Sequence, residues 1–100
     1  MLWSIICVDN SNTAAIREKV LQVHRDYLGE QKKILVLAGA TQSDDGQTST
    51  GSLFIVNVNS RAEAKAFSDG DPFTQNGVFA SVKITRMRKG QWNPQAAEGA

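Results

Sequence analysis

The chain has 100 residues, 11 Lys and Arg against 10 Asp and Glu, and a formal charge of +1, which leaves room for one small domain. Hydrophobic residues at 41% and charged residues at 21% exclude a disordered chain, which needs low hydrophobicity and a large net charge. The near-neutral balance lacks the basic excess of a nucleic-acid binder, no apolar run approaches the ~20 residues that cross a bilayer, and a single cysteine makes neither an internal disulfide nor a cysteine metal cluster.

The first eight residues are apolar but carry no basic leader and no small-residue cleavage site, so they read as a strand and not a signal peptide. A cytoplasmic protein is expected. Residues 2–8, rich in Ile, Val and Trp, end at Asp9-Asn10-Ser11-Asn12, residue types that bond the backbone and stop sheets. Asn12 or Thr13 caps a helix running to about residue 28, which Gly29 ends. Ile16, Val20, Val23 and Tyr27 form its inner stripe, while Arg17, Glu18, Lys19, Gln22 and Arg25 lie away from the centre. His24 falls beside the stripe, where a titratable group needs a partner.

Residues 34–38 are a continuous apolar run, expected as a strand buried on both faces or nearly so, and Gly39 closes it. Residues 41–50 are polar and read as a flexible loop. Residues 52–58 form a third strand with Phe54, Val56 and Val58 on one face and Leu53 and Ile55 on the other. Ser60 and Glu63 have capping-box spacing, opening a short helix that ends at Gly70, with Ala62, Ala66 and Phe67 inward. Pro72 holds Asp71 extended and blocks continuation of that helix. Asn76-Gly77 turns the chain into a last strand, residues 78–88, with Val78, Ala80, Val82 and Ile84 inward. Residues 89–100 are a tail whose one large apolar group is Trp92.

The order β-α-β-β-α-β in about 90 residues has one common solution, an α+β ferredoxin-like sandwich with both helices on one sheet face. Apolar residues on both faces of several strands call for a cover over the other face, and a second copy of the chain supplies it. The domain is expected over residues 1–88, with residues 89–100 as a tail docked through Trp92.

His24, Gly39, Gly51-Ser52-Leu53 and Asp71-Pro72-Phe73, in that order, give the chain a family likeness: it resembles the YCII-related family of the dimeric ferredoxin-like α/β-barrel superfamily. The resemblance implies a homodimer in which two subunits form a barrel, and a small-molecule pocket holding a His–Asp pair. Here the pair falls on His24 and Asp71, with Ser52, Gly39 and Phe73 as substrate-binding positions. Some relatives are linked to dehydrochlorination of chlorinated hydroxyquinols. The chain departs from the family in its tail, and in Ala38-Gly39-Ala40, where many relatives have glycine-proline.

Taken by themselves, the same residues have blander uses. His24, the only histidine, exchanges a proton near neutrality if it faces a cavity, or packs in the core bonded to a backbone carbonyl. Asp71 partners it, or begins a turn before Pro72. Ser52 holds a ligand oxygen or is a small strand residue; no G-x-S-x-G elbow surrounds it, so it is not a nucleophile. Cys7, inside a strand, reads as an inert buried thiol. Asp44-Asp45 lack calcium-loop spacing and no metal is expected. Arg86, Arg88 and Lys89 either draw an anionic substrate or keep a strand end soluble. Two functions follow. In the first, an enzyme without a cofactor uses His24 as base, Asp71 to orient it and Ser52 to hold a substrate oxygen, for elimination or isomerisation of an aromatic or lactone-type compound. In the alternative, the pocket serves a non-catalytic, dimeric small-ligand-binding or sensing module. RNA binding is excluded because residues 51–56 lack the paired aromatics and flanking basic residue of an RNA-binding strand.

Overall fold

The computed structural model describes residues 1–100. They run as β1 (Leu2–Asp9), α1 (Ala14–Glu30), β2 (Leu35–Gln42), β3 (Ser49–Asn57), α2 (Arg61–Gly70), a one-turn helix α3 (Pro72–Gln75) and β4 (Phe79–Met87), followed by a 3-10 turn at Pro94–Ala97. The strands form one antiparallel sheet in the order β2-β3-β1-β4, which is the ferredoxin-like βαββαβ arrangement expected. No helix is long and apolar enough to cross a membrane.

Side chains alternate across the two central strands, and the register puts Trp3 opposite Val56, Ile5 opposite Phe54 and Cys7 opposite Ser52. These face the helices. Trp3, Ile5, Cys7, Phe54, Val56 and Val58 form the core with Ala64 and Phe67 of α2, and Tyr27 and Leu28 of α1 pack against it. Their neighbours Ile6 and Val8 point the other way and are exposed. Leu37 of the edge strand β2 lies on the same open face, opposite Ile55.

Several expectations need correcting. β2 is not buried on both faces: it is an edge strand, with Val36 and Leu37 exposed. Between the pairs Leu35–Val56 and Leu37–Ile55, Val36 is an extra residue, a bulge that resets the register. The polar stretch is mostly hairpin, since β2 reaches Gln42 and β3 starts at Ser49. Its turn is tied by the Ser43 hydroxyl donating to Asp45 Oδ1 at 2.7 Å and by Gly46 at φ +72°.

α1 continues through Gly29 to Glu30, and Thr13 precedes it without a side-chain cap. Its one buried residue is His24, with Thr13 buried just before its start, whereas Val23 is exposed. α2 starts at the expected serine: Ser60 Oγ accepts from the Glu63 amide at 3.1 Å, while the Glu63 carboxylate accepts not from the Ser60 amide but from that of Asn59, one residue earlier, at 2.8 Å. Its inward residues are Ala64, Phe67 and Ser68, not Ala62 or Ala66. Helix also resumes after Pro72, because proline at the first helical position needs no N–H partner. In β4, Ile84, opposite Ile5, is half-buried against the core as expected, but Val82, although it is opposite Cys7, and Ala80 are exposed at this edge strand.

Candidate active site

α1 and the short segment around α3 bring the titratable pair together. His24 sits on the buried side of α1, and its Nδ1 lies 2.7 Å from Asp71 Oδ1. Asp71 is placed by its backbone: at φ −69°, ψ 125° it caps α3, with Oδ1 accepting from the Phe73 amide at 3.0 Å. A capping carboxylate oxygen accepts, so Nδ1 carries the proton and donates it. In that tautomer Nε2 is the ring nitrogen with the free lone pair. Nε2 has no protein partner, and it is not among the buried atoms left without one.

Phe73 fixes the plane of the ring. It stacks on His24 with centroids 3.7 Å apart and planes 4° from parallel, and Phe54 meets the imidazole at an angle of 63°. Asp71 is nearly sealed at 1% exposure, and its Oδ2 is buried without a hydrogen-bond partner. That concentrates the carboxylate's effect on its neighbours. Burial first, then the charges of Asp71 and Asp9, push the Cys7 thiol up to about 12, against the opposing pull of Arg17. Burial and then Asp71 and Glu30 likewise raise Tyr27, whose hydroxyl donates to the Phe67 carbonyl at 2.7 Å. Cys7 is therefore a protonated core residue, as its strand position suggested.

A cavity of about 300 Å³ opens beside the pair, lined by His24, Phe73, Phe54, Ser52 and Arg17, with the backbone of residues 38–40 along one side. The positions expected to form the site are at or next to it: His24, Ser52, Gly39 and Phe73 line it, and Asp71 stands behind His24, whereas Arg86, Arg88 and Lys89 lie away from it, on the rim of a different recess. Gly39 contributes backbone only, because it pairs with Leu53 and a Cβ there would meet nothing within 4 Å. A larger recess of about 980 Å³ lies on the open sheet face between Leu37, Ile55, Met87 and Trp92. It contains no acid–base pair; the His24–Asp71 contact adjoins the smaller cavity.

Arg17 escaped the sequence reading. Its charge sets it off the apolar stripe, yet it stands seven residues, two turns, before His24 on the same helix face. The signal was an acid within reach. Arg17 Nε donates to Asp9 Oδ2 at 2.8 Å, and Nη2 donates to Asp9 Oδ1 at 2.9 Å, to the Gly51 carbonyl at 2.8 Å and to Ser52 Oγ at 3.2 Å. Its Cζ also lies 4.9 Å from the centre of the Phe73 ring. Asp44 and Asp45 stay in the hairpin turn, where bonds from the Ser43 hydroxyl and the Gln47 amide hold the Asp45 carboxyl below its usual range. No group of three or more His, Cys, Asp or Glu side chains is placed to hold a metal ion.

Comparison with known proteins adds three findings. A family model, the YCII-related domain, matches residues 1–88. A 5-chloro-2-hydroxyhydroquinone dehydrochlorinase from Burkholderia phenoliruptrix, solved in complex with 2,5-dihydroxybenzoquinone, is 30% identical, with a TM-score of 0.82 over 90% of this chain and 96% of that one. A protein from Agrobacterium tumefaciens (16% identical, TM-score 0.54, 94% and 98% covered) and one from Arabidopsis thaliana (10% identical, TM-score 0.50, 92% and 97% covered) share the fold. No curated protein sequence matches the chain.

Proposed function

The chain belongs to the YCII-related domain family, and from that premise we propose that it is a small-molecule enzyme in which the His24–Asp71 pair abstracts a proton. The observation that carries this reading is the 2.7 Å contact between His24 Nδ1 and Asp71 Oδ1, made by a ring whose other nitrogen is unpartnered on a cavity wall. His24 Nε2 takes a proton from a carbon or hydroxyl beside a carbonyl. Asp71 keeps the ring in the Nδ1–H tautomer and stabilises the imidazolium that forms. Ser52 Oγ, already accepting from Arg17, turns its own hydroxyl proton to a substrate oxygen.

Loss of a proton leaves an enolate or phenolate, from which a leaving group departs (elimination) or to which the proton returns at another carbon (isomerisation). A cavity of about 300 Å³ suits a single substituted ring, at the lower end of the size of small-molecule sites. The substrate class is accordingly an aromatic or lactone-type compound, and the dehydrochlorinase that this chain resembles acts on a compound of that kind. The same reading includes a homodimer joined sheet to sheet over Ile6, Val8 and Leu37, which a lone chain leaves exposed. Trp92, 56% exposed in the single chain, docks in that assembly and anchors the tail beyond residue 88. The lone, unpaired Cys7 suits the reducing cytoplasm.

The test is to incubate the protein with 5-chloro-2-hydroxyhydroquinone and with small hydroxyquinols and enol lactones in D2O. Chloride release and carbon–deuterium exchange are followed. Turnover or exchange that disappears in His24→Gln is expected. Compounds that bind and return unchanged and unexchanged would overturn the enzyme reading and leave a ligand-binding module.

A further inference from the structure

The polar side chains that line the cavity are Arg17, His24, Arg25 and Ser52, and no carboxylate is among them. Both nearby acids stand behind a cavity residue: Asp71 behind His24, and Asp9 behind Arg17. Arg17 is held, not free to swing. Its side chain is 12% exposed and that of Asp9 6%, and Nε and Nη2 supply every bond it makes to Asp9, Gly51 and Ser52. The two N–H groups of Nη1 have no acceptor in the protein. A guanidinium fixed on one edge, with two donors left over on the other, suits the recognition of a charged oxygen. Arg25, on the rim, is in none of the three ion pairs of the chain and leaves the entrance with an uncompensated positive charge.

We propose that the cavity selects a monocyclic organic anion, its charged oxygen (phenolate, enolate or carboxylate) taken by Arg17 Nη1 and its approach favoured by Arg25. This rests on the enzyme reading above and narrows its substrate class. Arg17 is then a specificity-determining residue, and the ion pair with Asp9 is what aims it. An oxygen held there is stabilised as negative charge accumulates on the ring, so the group that chooses the substrate also favours loss of the proton to His24.

The experiment measures binding of two probes by NMR titration of the intact protein near pH 7.5: 2,5-dihydroxybenzoquinone, a vinylogous acid ionised at that pH, and hydroquinone, a neutral ring of similar size. The wild type is expected to bind the anion at least tenfold more tightly, with shifts at His24, Ser52 and Phe73. In Arg17→Gln the preference falls to about twofold or less, and in Arg25→Gln it falls partway. Because Arg17→Gln strands the buried Asp9 carboxylate, the double variant Asp9→Asn/Arg17→Gln is measured beside it. It removes both charges of the pair and is expected to lose the preference equally. Equal binding of the two probes by the wild type, or a preference that survives in the double variant, overturns the anion inference and leaves the enzyme reading standing. Binding of neither probe at millimolar concentration overturns both.

Discussion

Asp71 Oδ1 accepts from both the Phe73 amide and His24, and substitution can separate these two uses. An asparagine side chain still offers an oxygen to the amide, so Asp71→Asn should keep α3 capped and melt within a few degrees of wild type. Turnover should drop by ~10²–10⁴, the range that general acid–base assistance supplies, because the imidazolium loses its counter-charge. Asp71→Ala should show the same catalytic loss and in addition a stability loss of about 1 kcal/mol or more for the missing cap, read by urea denaturation. Equal turnover in Asp71→Asn and wild type would exclude the pair as the acid–base device. Cys7 gives a prediction on the alkaline side. Its thiol is raised to about 12 in the fold from an ordinary 9.0, so above pH 9 the unfolded chain has released a proton that the native one still holds. Stability from this group is therefore complete below pH 9 and is lost progressively towards pH 12. Tyr27, raised from 10.0, adds a loss of the same sign that begins one unit higher. Urea midpoints between pH 8 and 10 should decline less steeply in Cys7→Ala than in wild type, and iodoacetamide should label Cys7 only as the chain unfolds.

At the scale of elements, strands declared themselves by apolar runs (β1 and β2) or by alternation (β3 and β4), and helix α2 by a serine and a glutamate three residues apart. Both signals are local, so both were legible. What the sequence left unread depended on distant partners. Arg17 is on the inner face of α1 because Asp9 and the Gly51 carbonyl receive it, and nothing within a helical window announces that. β2 reads as doubly buried because it is a continuous apolar run, while its place at the sheet edge, with Val36 and Leu37 exposed, is set by pairing with a distant strand. The one-turn helix α3 is too short to leave a periodic trace, yet it sets the angle between Asp71 and Phe73 on which the site depends. His24 was legible as a group needing a partner, and the segment at Asp71-Pro72 as an extended stop. Their meeting was legible only through the family pattern. Two glycines separate tolerance from necessity here. A Cβ at Gly39 meets open space, whereas one at Gly51 runs into the Cys7 carbonyl and the Thr41 hydroxyl. Gly39→Ala should leave stability within ~0.5 kcal/mol of wild type. Gly51→Ala should cost roughly 1–3 kcal/mol and disturb ligand binding, since the Gly51 carbonyl is one of the acceptors that aim Arg17. Paired denaturation curves test the contrast.

For the whole molecule, the sheet divides two duties. Its helix side carries the cavity and the His24–Asp71 pair; its open side carries Ile6, Val8, Leu37 and the recess beside Trp92. Sedimentation at micromolar concentration should give a species of twice 10.9 kDa, and Leu37→Glu should shift it to the monomer without moving His24 or Asp71. A wild-type monomer at that concentration would remove the sheet-to-sheet dimer. In β1 and β3 the two duties fall on consecutive residues: Cys7 beside Ile6, Ser52 beside Leu53. Point substitutions can then alter the open face or the cavity face independently, one side at a time. Deleting or inserting a single residue within either strand reverses every side chain beyond it, sending cavity residues outward and greasy ones against the helices. The gene is thus open to drift by replacement and closed to drift by length in these two strands, and the place where homologous chains can lengthen is the Ser43–Thr48 turn, which neither face depends on.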